Sequence, residues 1–352
     1  MQCPYCLEDF VLEKIQKEAT CLNENCQREL SRLFLNGISR RNPYFSCGMV
    51  GFSNHGKTVY ITTLFYMLKD IITNTWPGFT MMALDQESIR MVFERIDQLK
   101  KGLLPEATRV NFTDPCLVTK TNIAQHDTIF VAYHDIGGEV YEEMKDVEKT
   151  GKPIAKSHTL MFMISISESQ YQQQYYSENN RHQGDNSGKL QIKSWQDDIT
   201  RLINTYFLAA HDRLGLNPRE YQNLIVVFTK ADEFFDQLPP ELQSYLLDGD
   251  INKYKSLNKS LLDRIRNESK MIEQWLCNQQ ATGFVNLCRR NFKSVNFCMV
   301  SALGQSPDGN RLQGNLRPED PKNVLDPFIL ALGNHIDFRE KKNFWSWIRR
   351  IV

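Results

Sequence analysis

Apolar stretches of two kinds alternate along this chain and predict its architecture. Short runs such as "YFSCGMV" (44–50) and "LIVVF" (224–228) are apolar at successive positions, which is typical of strands buried on both faces of a parallel sheet. Further strands are predicted at 78–85, 126–139, 159–167 and 294–303. Because longer segments with helical spacing separate these runs, the pattern predicts an α/β fold in which helices flank a mostly parallel sheet.

The predicted helices differ in character. The segment 57–72, "KTVYITTLFYMLKDII", is apolar on most sides, whereas 86–102 is amphipathic and ends in a glycine. A third helix is predicted at 190–215, after a polar, low-complexity stretch (167–190) that predicts a mobile loop. Residues 236–290 are charged and predict a helical insertion.

The charge balance narrows the classes of partner. The 352 residues carry 42 basic and 42 acidic side chains, which argues against non-specific nucleic-acid binding, and no specific nucleic acid is predicted. Residues 27–43 carry four arginines and predict a solvated linker helix that ends near Gly37. No uncharged apolar run of about 18 residues and no secretory leader is evident, so we expect a soluble, cytoplasmic protein.

A glycine-containing loop follows the first predicted strand. "GFSNHGKT" (51–58) fits G-x-x-x-x-G-K-[ST], in which backbone N–H groups surround phosphates, the lysine reaches the β and γ oxygens, and the hydroxyl ligates Mg²⁺. The next helix would direct its N-terminal N–H groups and positive dipole end at the same phosphates. A plain glycine turn is the alternative, but the order strand, loop, helix favours phosphate binding.

Two further motifs end later strands. "DIGG" (135–138) matches D-x-x-G, in which the carboxylate holds Mg²⁺ and a glycine N–H lies near the γ-phosphate. "TKAD" (229–232) matches [NT]-K-x-D, whose aspartate accepts hydrogen bonds from guanine N1–H and the 2-amino group. Adenine lacks this pair of donors, so the motif predicts a preference for guanine. Either tetrapeptide alone also occurs as an ordinary turn or strand cap.

Four of the nine cysteines lie within the first 26 residues: Cys3, Cys6, Cys21 and Cys26. Two closely spaced pairs can close a tetrahedron of thiolates around Zn²⁺, which predicts a zinc knuckle. "CPYC" also resembles the redox dithiol of glutaredoxins, although that motif normally follows a strand and only two residues precede it here. The other five are expected in the core: Cys47, Cys116, Cys277, Cys288 and Cys298.

With "GFSNHGKT", "DIGGE", "TKAD" and "SAL" in this order, the chain resembles the Ras-like GTPase domains of the translation-factor-related class. Together with the zinc knuckle, it is most similar to the double-GTPase proteins associated with bacterial conflict systems. The resemblance implies a six-stranded, mostly parallel sheet that holds GTP at the carboxyl ends of its strands. It divides the chain into a zinc knuckle (1–30), a basic linker (31–43), the GTPase domain (44–335) and a basic, aromatic tail (336–352).

The resemblance also implies a role for each matching residue. Those that would cradle phosphate and Mg²⁺ are Gly51, Asn54, His55, Gly56, Lys57 and Thr58. Those that would hold guanine are Thr229, Lys230, Asp232, Ser301 and Ala302. Asp135 would join Thr58 on the magnesium, and Gly138 would sense the γ-phosphate. A switch threonine is expected before Asp135, with Thr108 as first choice and Thr113 and Thr80 as alternatives.

Two positions bear on the rate of hydrolysis. Ras-like enzymes place a glutamine after D-x-x-G to orient the attacking water, whereas this chain has Glu139. A glutamate accepts from water but adds negative charge beside the γ-phosphate, so we expect slow or partner-dependent turnover. Asn54 occupies the position that helps to coordinate K⁺ in potassium-stimulated GTPases, so K⁺ stimulation is a hypothesis for this chain.

These features predict a GTP-dependent molecular switch that an unidentified protein partner reads, with a role in bacterial defence implied by the resemblance alone. The alternative is a non-hydrolysing assembly scaffold whose zinc knuckle binds the partner. The C-terminal segment "REKKNFWSWIRRIV" (339–352) mixes basic and aromatic residues, which suits a membrane surface or a partner groove. A terminal helix packed on its own domain is the favoured interpretation of this tail.

Overall fold

A seven-stranded sheet forms the centre of the molecule, seen in a computed structural model. The structure describes residues 1–11, 19–52, 54–77, 79–105, 117–123, 126–135, 152–167, 199–200, 203–206 and 214–338. The strands are β1 (Tyr44–Val50), β2 (Met81–Ala83), β3 (Leu117–Ile123), β4 (His126–Asp135), β5 (Thr159–Ser165), β6 (Asn223–Thr229) and β7 (Ser294–Met299). Their order across the sheet is β2-β3-β4-β1-β5-β6-β7.

Most of this sheet is parallel. β1 pairs in parallel with β4 and β5, and β6 pairs in parallel with β5 and β7. β3 runs antiparallel to β4, and β2 runs antiparallel to β3. The predicted α/β fold with a mostly parallel sheet is confirmed, but the sheet has seven strands where the family resemblance implied six.

Helices cover the sheet. They are α1 (Arg32–Ser39), α2 (Lys57–Tyr66), α3 (Gln86–Lys100), α4 (Lys152–Ala155), α5 (Pro218–Tyr221), α6 (Pro240–Leu247), α7 (Lys259–Asn278), α8 (Thr282–Asn291) and α9 (Asp326–His335). A π-helical segment, Met67–Ile72, and a last helical turn, Thr73–Thr75, prolong α2, and 3-10 helices span Ala231–Gln237 and Ile251–Tyr254. Within the described ranges, no helix has both the length and the apolar character needed to span a bilayer.

Successive side chains of a strand point into two apolar layers, one on each face of the sheet, as the apolar runs in the sequence predicted. On β5, Met161 and Met163 join the core beneath α2, α3 and α9, whereas Leu160 and Phe162 join the core that contains α6 and α8. Each such side chain contributes about 1.5–3 kcal/mol when fully buried. The two layers hold the carboxyl ends of β1, β4, β5, β6 and β7 at one edge of the sheet.

The segment expected to be a solvated linker is a packed helix. On α1, Phe34 meets Phe130 of β4 edge-on, with ring centroids 5.3 Å apart. A Cβ on Gly37 would lie 2.2 Å from the Phe130 ring, so glycine is needed there for close packing. The predicted helix that ends near Gly37 is confirmed, since α1 ends at Ser39, but its apolar residues are buried against β4, so the expectation of a solvated linker is wrong for them.

Several predictions of local structure are settled. The amphipathic helix at 86–102 is confirmed as α3, and the region 236–290 is helical through α6, α7 and α8. Cys47, Cys288 and Cys298 are buried and Cys277 is partly buried, as expected of core cysteines. Residues 339–352, Cys116 and nearly all of 167–190 lie outside the described residues.

A histidine beside the amino-terminal end of β5 gives the fold a pH dependence. His335 stacks on Phe45 with centroids 4.7 Å apart and lies 3.0 Å from the Thr159 hydroxyl. Burial, with the nearby His158 and Lys293, lowers the pKa of His335 from 6.5 to about 4. As the pH falls from 7 to 5, the unfolded chain gains a proton here that the folded chain does not. This site should therefore lose about 2 kcal/mol of stability over that interval.

Urea unfolding at pH 7 and pH 5 tests this, with His335→Gln as the reference because glutamine can hydrogen bond but does not titrate. We expect the wild type to lose about 2 kcal/mol more than the variant between the two pH values. Equal losses in the two proteins would show that His335 does not cause the dependence.

Candidate functional site

The loop between β1 and α2 is wrapped around a buried lysine. Lys57 Nζ donates hydrogen bonds to the carbonyl oxygens of Gly51 (2.7 Å) and Phe52 (2.9 Å). A Cβ on Gly51 would lie 2.4 Å from the Met163 carbonyl oxygen of β5, so only glycine fits. Gly56 adopts φ +75°, a left-handed conformation that lets α2 begin at the next residue. The loop therefore holds an ammonium group at the N-terminus of a helix.

A hydroxyl and a carboxylate meet beneath this loop. β1 and β4 are parallel neighbours, and their register pairs Met49 with Asp135. Thr58, in the first turn of α2, donates its hydroxyl to Asp135 Oδ2 at 3.0 Å, and Asp135 is buried. Both groups offer hard oxygen ligands of the kind that Mg²⁺ prefers. The structure thus brings together the two residues expected to hold magnesium.

The end of β6 contacts the same loop. The Thr229 hydroxyl donates to the His55 backbone carbonyl at 2.9 Å. The His55 ring is 3% exposed and accepts a hydrogen bond from the Ser165 backbone N–H at Nδ1 (3.3 Å). The His55 side chain therefore joins the loop to β5 and its backbone carbonyl joins the loop to β6, so of its groups the backbone N–H would contribute to a phosphate cradle. The sequence motif alone did not reveal this role for His55 or the involvement of Ser165.

The turn after β6 is joined to the end of β7. Lys230 adopts φ +53° and precedes the 3-10 helix Ala231–Gln237, which contains the half-buried Asp232. Ala231 N–H donates to the Val300 carbonyl at 3.1 Å. This bond brings the "TKAD" turn beside the segment that begins at Ser301.

Ser301 and Ala302 differ in their surroundings. Ser301 is buried, its N–H donates to the Lys322 carbonyl at 3.1 Å, and its hydroxyl accepts from Gly304 N–H at 2.9 Å. These hydrogen bonds already occupy the backbone N–H and the hydroxyl of Ser301. Ala302 follows it and is only partly buried. Of the two residues expected to contact a base, Ala302 is the one whose backbone N–H takes no part in these bonds.

Thr80 lies towards the opposite end of the sheet. It precedes Met81, which pairs with Thr121 of β3, and Thr121 pairs with Ile129 of β4. Ile129 is six residues before Asp135, a distance of about 20 Å along an extended strand. Thr80 is therefore too far from Asp135 to share a ligand with it in this structure.

The structure describes only one of the remaining residues expected at the site. Thr108, Thr113, Gly138 and Glu139 lie outside the described residues. Asn54 is described: it is exposed and adopts φ +64° within the loop. Its exposure leaves the side chain accessible to a ligand above the loop.

A second group of residues forms a cysteine cluster near the N-terminus. The sulfur atoms of Cys3, Cys6, Cys21 and Cys26 all lie within 4.8 Å of one another. Cys6 Sγ and Cys21 Sγ are 3.7 Å apart, close to the roughly 3.8 Å that Zn–S bonds of about 2.3 Å require in a tetrahedron. The four cysteines could therefore hold a metal ion such as zinc.

Two similar turns build this cluster. Leu7 follows Cys6 with φ +55° and donates its N–H to the Cys3 carbonyl at 2.9 Å. Gln27 follows Cys26 with φ +46° and donates its N–H to the Asn23 carbonyl at 3.0 Å. Hydrogen bonds from the thiols of Cys26 and Cys3 lower the pKa of Cys6. Four sulfur atoms that converge in this way suit a metal site better than a two-cysteine redox pair.

No protein-family model and no curated protein matches this chain.

Proposed function

We propose that this chain binds GTP with Mg²⁺ and hydrolyses it to GDP, acting as a switch for a protein partner, and that its four cysteines hold Zn²⁺. One observation carries the proposal: the Thr229 hydroxyl donates to the His55 carbonyl at 2.9 Å. Through this bond, a motif suited to guanine touches a motif suited to phosphate, although 174 residues separate the two in sequence. One nucleotide spans both sites, so its recognition requires the base motif and the phosphate motif to lie side by side.

The sheet topology supports this proposal. β1, β4, β6 and β7 run parallel and end at the same edge, where the Gly51–Thr58 loop, Asp135, the "TKAD" turn and Ala302 lie. Ligands of open α/β sheets bind at the carboxyl ends of the strands. The candidate residues therefore line the place where such folds usually bind their substrates.

The phosphate end has a preformed set of charges and donors. Lys57 is bonded to the Gly51 and Phe52 carbonyls and is close enough to turn towards phosphate oxygens above the loop. Thr58 and Asp135 would hold Mg²⁺, which neutralises charge on the transferring phosphoryl group. Backbone N–H groups at the start of α2 would stabilise the same charge.

The base end accounts for specificity. The Asp232 carboxylate would accept from guanine N1–H and N2–H, and the Lys230 stem would lie along the base. We assign the contact with O6 to the Ala302 N–H, because the Ser301 N–H is already bonded to the Lys322 carbonyl. Adenine presents no matching pair of donors, so it would leave the carboxylate unpaired.

Two residues that follow Asp135 in sequence would act on the attacking water and on the γ-phosphate, and a threonine that precedes β3 would complete the site. Glu139 would orient the water, and Gly138 would contact the γ-phosphate. The switch threonine would be Thr108, with Thr113 as the alternative. Both precede β3 in sequence, and the first residue of β3, Leu117, pairs with Tyr133, two residues from Asp135.

Calorimetric titration of the zinc-loaded protein with GTP and ATP in Mg²⁺ buffer tests the assignment. We expect GTP to bind at least about a hundredfold more tightly than ATP, and Asp232→Ala to remove this preference. Asp232→Asn should instead favour xanthosine triphosphate, because the amide can donate to the xanthine O2 oxygen. Asp236→Ala is the matched control, since Asp236 is exposed on the same 3-10 helix.

Equal binding of ATP and GTP would refute the base site and with it the GTPase proposal. Release of phosphate over many turnovers at saturating GTP distinguishes the switch from the non-hydrolysing scaffold. Repeating that assay in sodium and in potassium buffer tests the K⁺ hypothesis at Asn54.

A further inference from the structure

The cysteine cluster is packed on the strand that carries Asp135. Cys3 and Cys21 share a buried apolar core with Phe130 and Ala132 of β4. The intervening residue Val131 faces the opposite layer, beneath α2. Because side chains alternate along a strand, one face of β4 contacts the cysteine cluster and the other faces α2, whose first turn carries Thr58.

His134 continues the face that contacts the cluster. It is buried, and its ring donates a hydrogen bond to the backbone carbonyl of Pro4, which lies between Cys3 and Cys6. The next residue, Asp135, accepts the Thr58 hydroxyl. Adjacent residues of β4 therefore connect the first cysteine turn with the oxygen pair expected to hold magnesium.

Two other bonds fix the first cysteine turn on the domain. Lys156 Nζ donates to Glu8 Oε2 at 2.6 Å, and the Tyr5 hydroxyl donates to Asp85 Oδ2 at 3.3 Å. Tyr5 lies within the turn and Glu8 directly follows it, and their partners Asp85 and Lys156 precede α3 and β5. With three attachments, the turn can act as a fixed support for the end of β4.

We propose that His134 is a positioning residue, which uses the metal-closed cysteine turn to hold Asp135 in place for Mg²⁺. The inference rests on the proposed nucleotide site and adds a function for the cysteine cluster within it. If the cluster loses its metal, the Pro4 carbonyl loses its fixed position and His134 no longer anchors the end of β4. Mg²⁺-dependent nucleotide binding then weakens, while binding through Lys57 and the loop is retained.

The experiment measures binding of a fluorescent GDP analogue as a function of Mg²⁺ concentration. We expect His134→Leu to raise the Mg²⁺ concentration for half-maximal tightening about tenfold, with nucleotide affinity in the absence of Mg²⁺ within twofold of wild type. His134→Gln, whose amide can still donate to Pro4, should recover most of the loss. Removing zinc with a zinc-selective chelator should reproduce the effect of His134→Leu.

His158→Leu serves as the control for general damage to the fold. His158 is also a largely buried histidine, but it bonds to Ser46 near the amino-terminal end of β1, away from the site. This variant should lose stability without changing the Mg²⁺ dependence. A Mg²⁺ dependence within twofold of wild type in both His134→Leu and the zinc-depleted protein would overturn the inference. Failure of the wild type to bind guanine nucleotide at all would instead overturn the proposed function.

Discussion

Replacing Lys253 with methionine should destabilise the fold by about 3–5 kcal/mol, because it leaves a buried carboxylate without its cation. Lys253 Nζ lies 2.7 Å from Asp326 Oδ2 and 2.7 Å from Glu268 Oε2, and it donates to Asn323 Oδ1 at 2.9 Å. The side chains of Lys253 and Asp326 are 1% and 0% exposed. Methionine fills a similar volume, so the expected loss comes from charge and hydrogen bonding rather than from a cavity.

Urea unfolding at pH 7.5 measures this loss, with Lys259→Met as the matched control. Lys259 forms an ion pair with Asp263 in which the side chains are 61% and 45% exposed. The same substitution should therefore change stability there by no more than about 1 kcal/mol. Similar losses of unfolding free energy in Lys253→Met and Lys259→Met would contradict the conclusion that the buried Lys253–Asp326 pair stabilises the fold more than the exposed one.

The network around Lys253 also reaches the strand that leads to the base site. Asp326 accepts hydrogen bonds from the hydroxyls of Tyr254 (2.8 Å) and Tyr245 (3.1 Å). The Tyr245 hydroxyl in turn accepts a hydrogen bond from the backbone N–H of Met299, the last residue of β7, at 3.4 Å. Partial loss of this network is expected to loosen the end of β7 before the whole domain unfolds.

The buried strands could be predicted from the sequence because each carries its own apolar signal. The central residues of β5 (160–164) and β6 (224–228) are all apolar and β1 is largely so, and that pattern does not depend on knowledge of their neighbours. β3 was not predicted, because "LVTKTNI" mixes threonine and lysine with aliphatic residues and follows a stretch of turn residues. It becomes a strand through pairing with β2 and β4, which a local pattern cannot show.

The candidate site likewise contains residues that the sequence could predict and contacts that it could not. Thr58, Asp135 and Thr229 belong to motifs with defined spacing, so their types could be recognised without coordinates. The contact of His134 with Pro4 joins residues 130 positions apart and has no local signature. The Lys253–Asp326 pair joins residues 73 positions apart, and a lysine followed by a tyrosine resembles any exposed turn.

Replacing Lys57 with methionine should weaken GTP binding at least about a hundredfold. In this structure Lys57 is 6% exposed and holds the Gly51 and Phe52 carbonyls, so its ammonium group is already desolvated and positioned. A unit charge about 4 Å from a phosphate oxygen contributes about 4 kcal/mol at an effective dielectric constant of 20. Since 1.4 kcal/mol corresponds to a tenfold change in affinity, half of this energy gives about a thirtyfold effect, and the several charges of the phosphates raise it to about a hundredfold or more.

Calorimetry with GTP measures the loss, and thermal unfolding without nucleotide shows whether the variant still folds. Lys259→Met again provides a control, because it removes an exposed lysine on α7 that belongs to no part of the proposed site. A folded Lys57→Met protein that binds GTP as tightly as wild type would place the nucleotide away from the Gly51–Thr58 loop. Asp135 and Thr58 would then have no role in binding Mg²⁺–GTP, and their hydrogen bond would serve only to join α2 to the sheet.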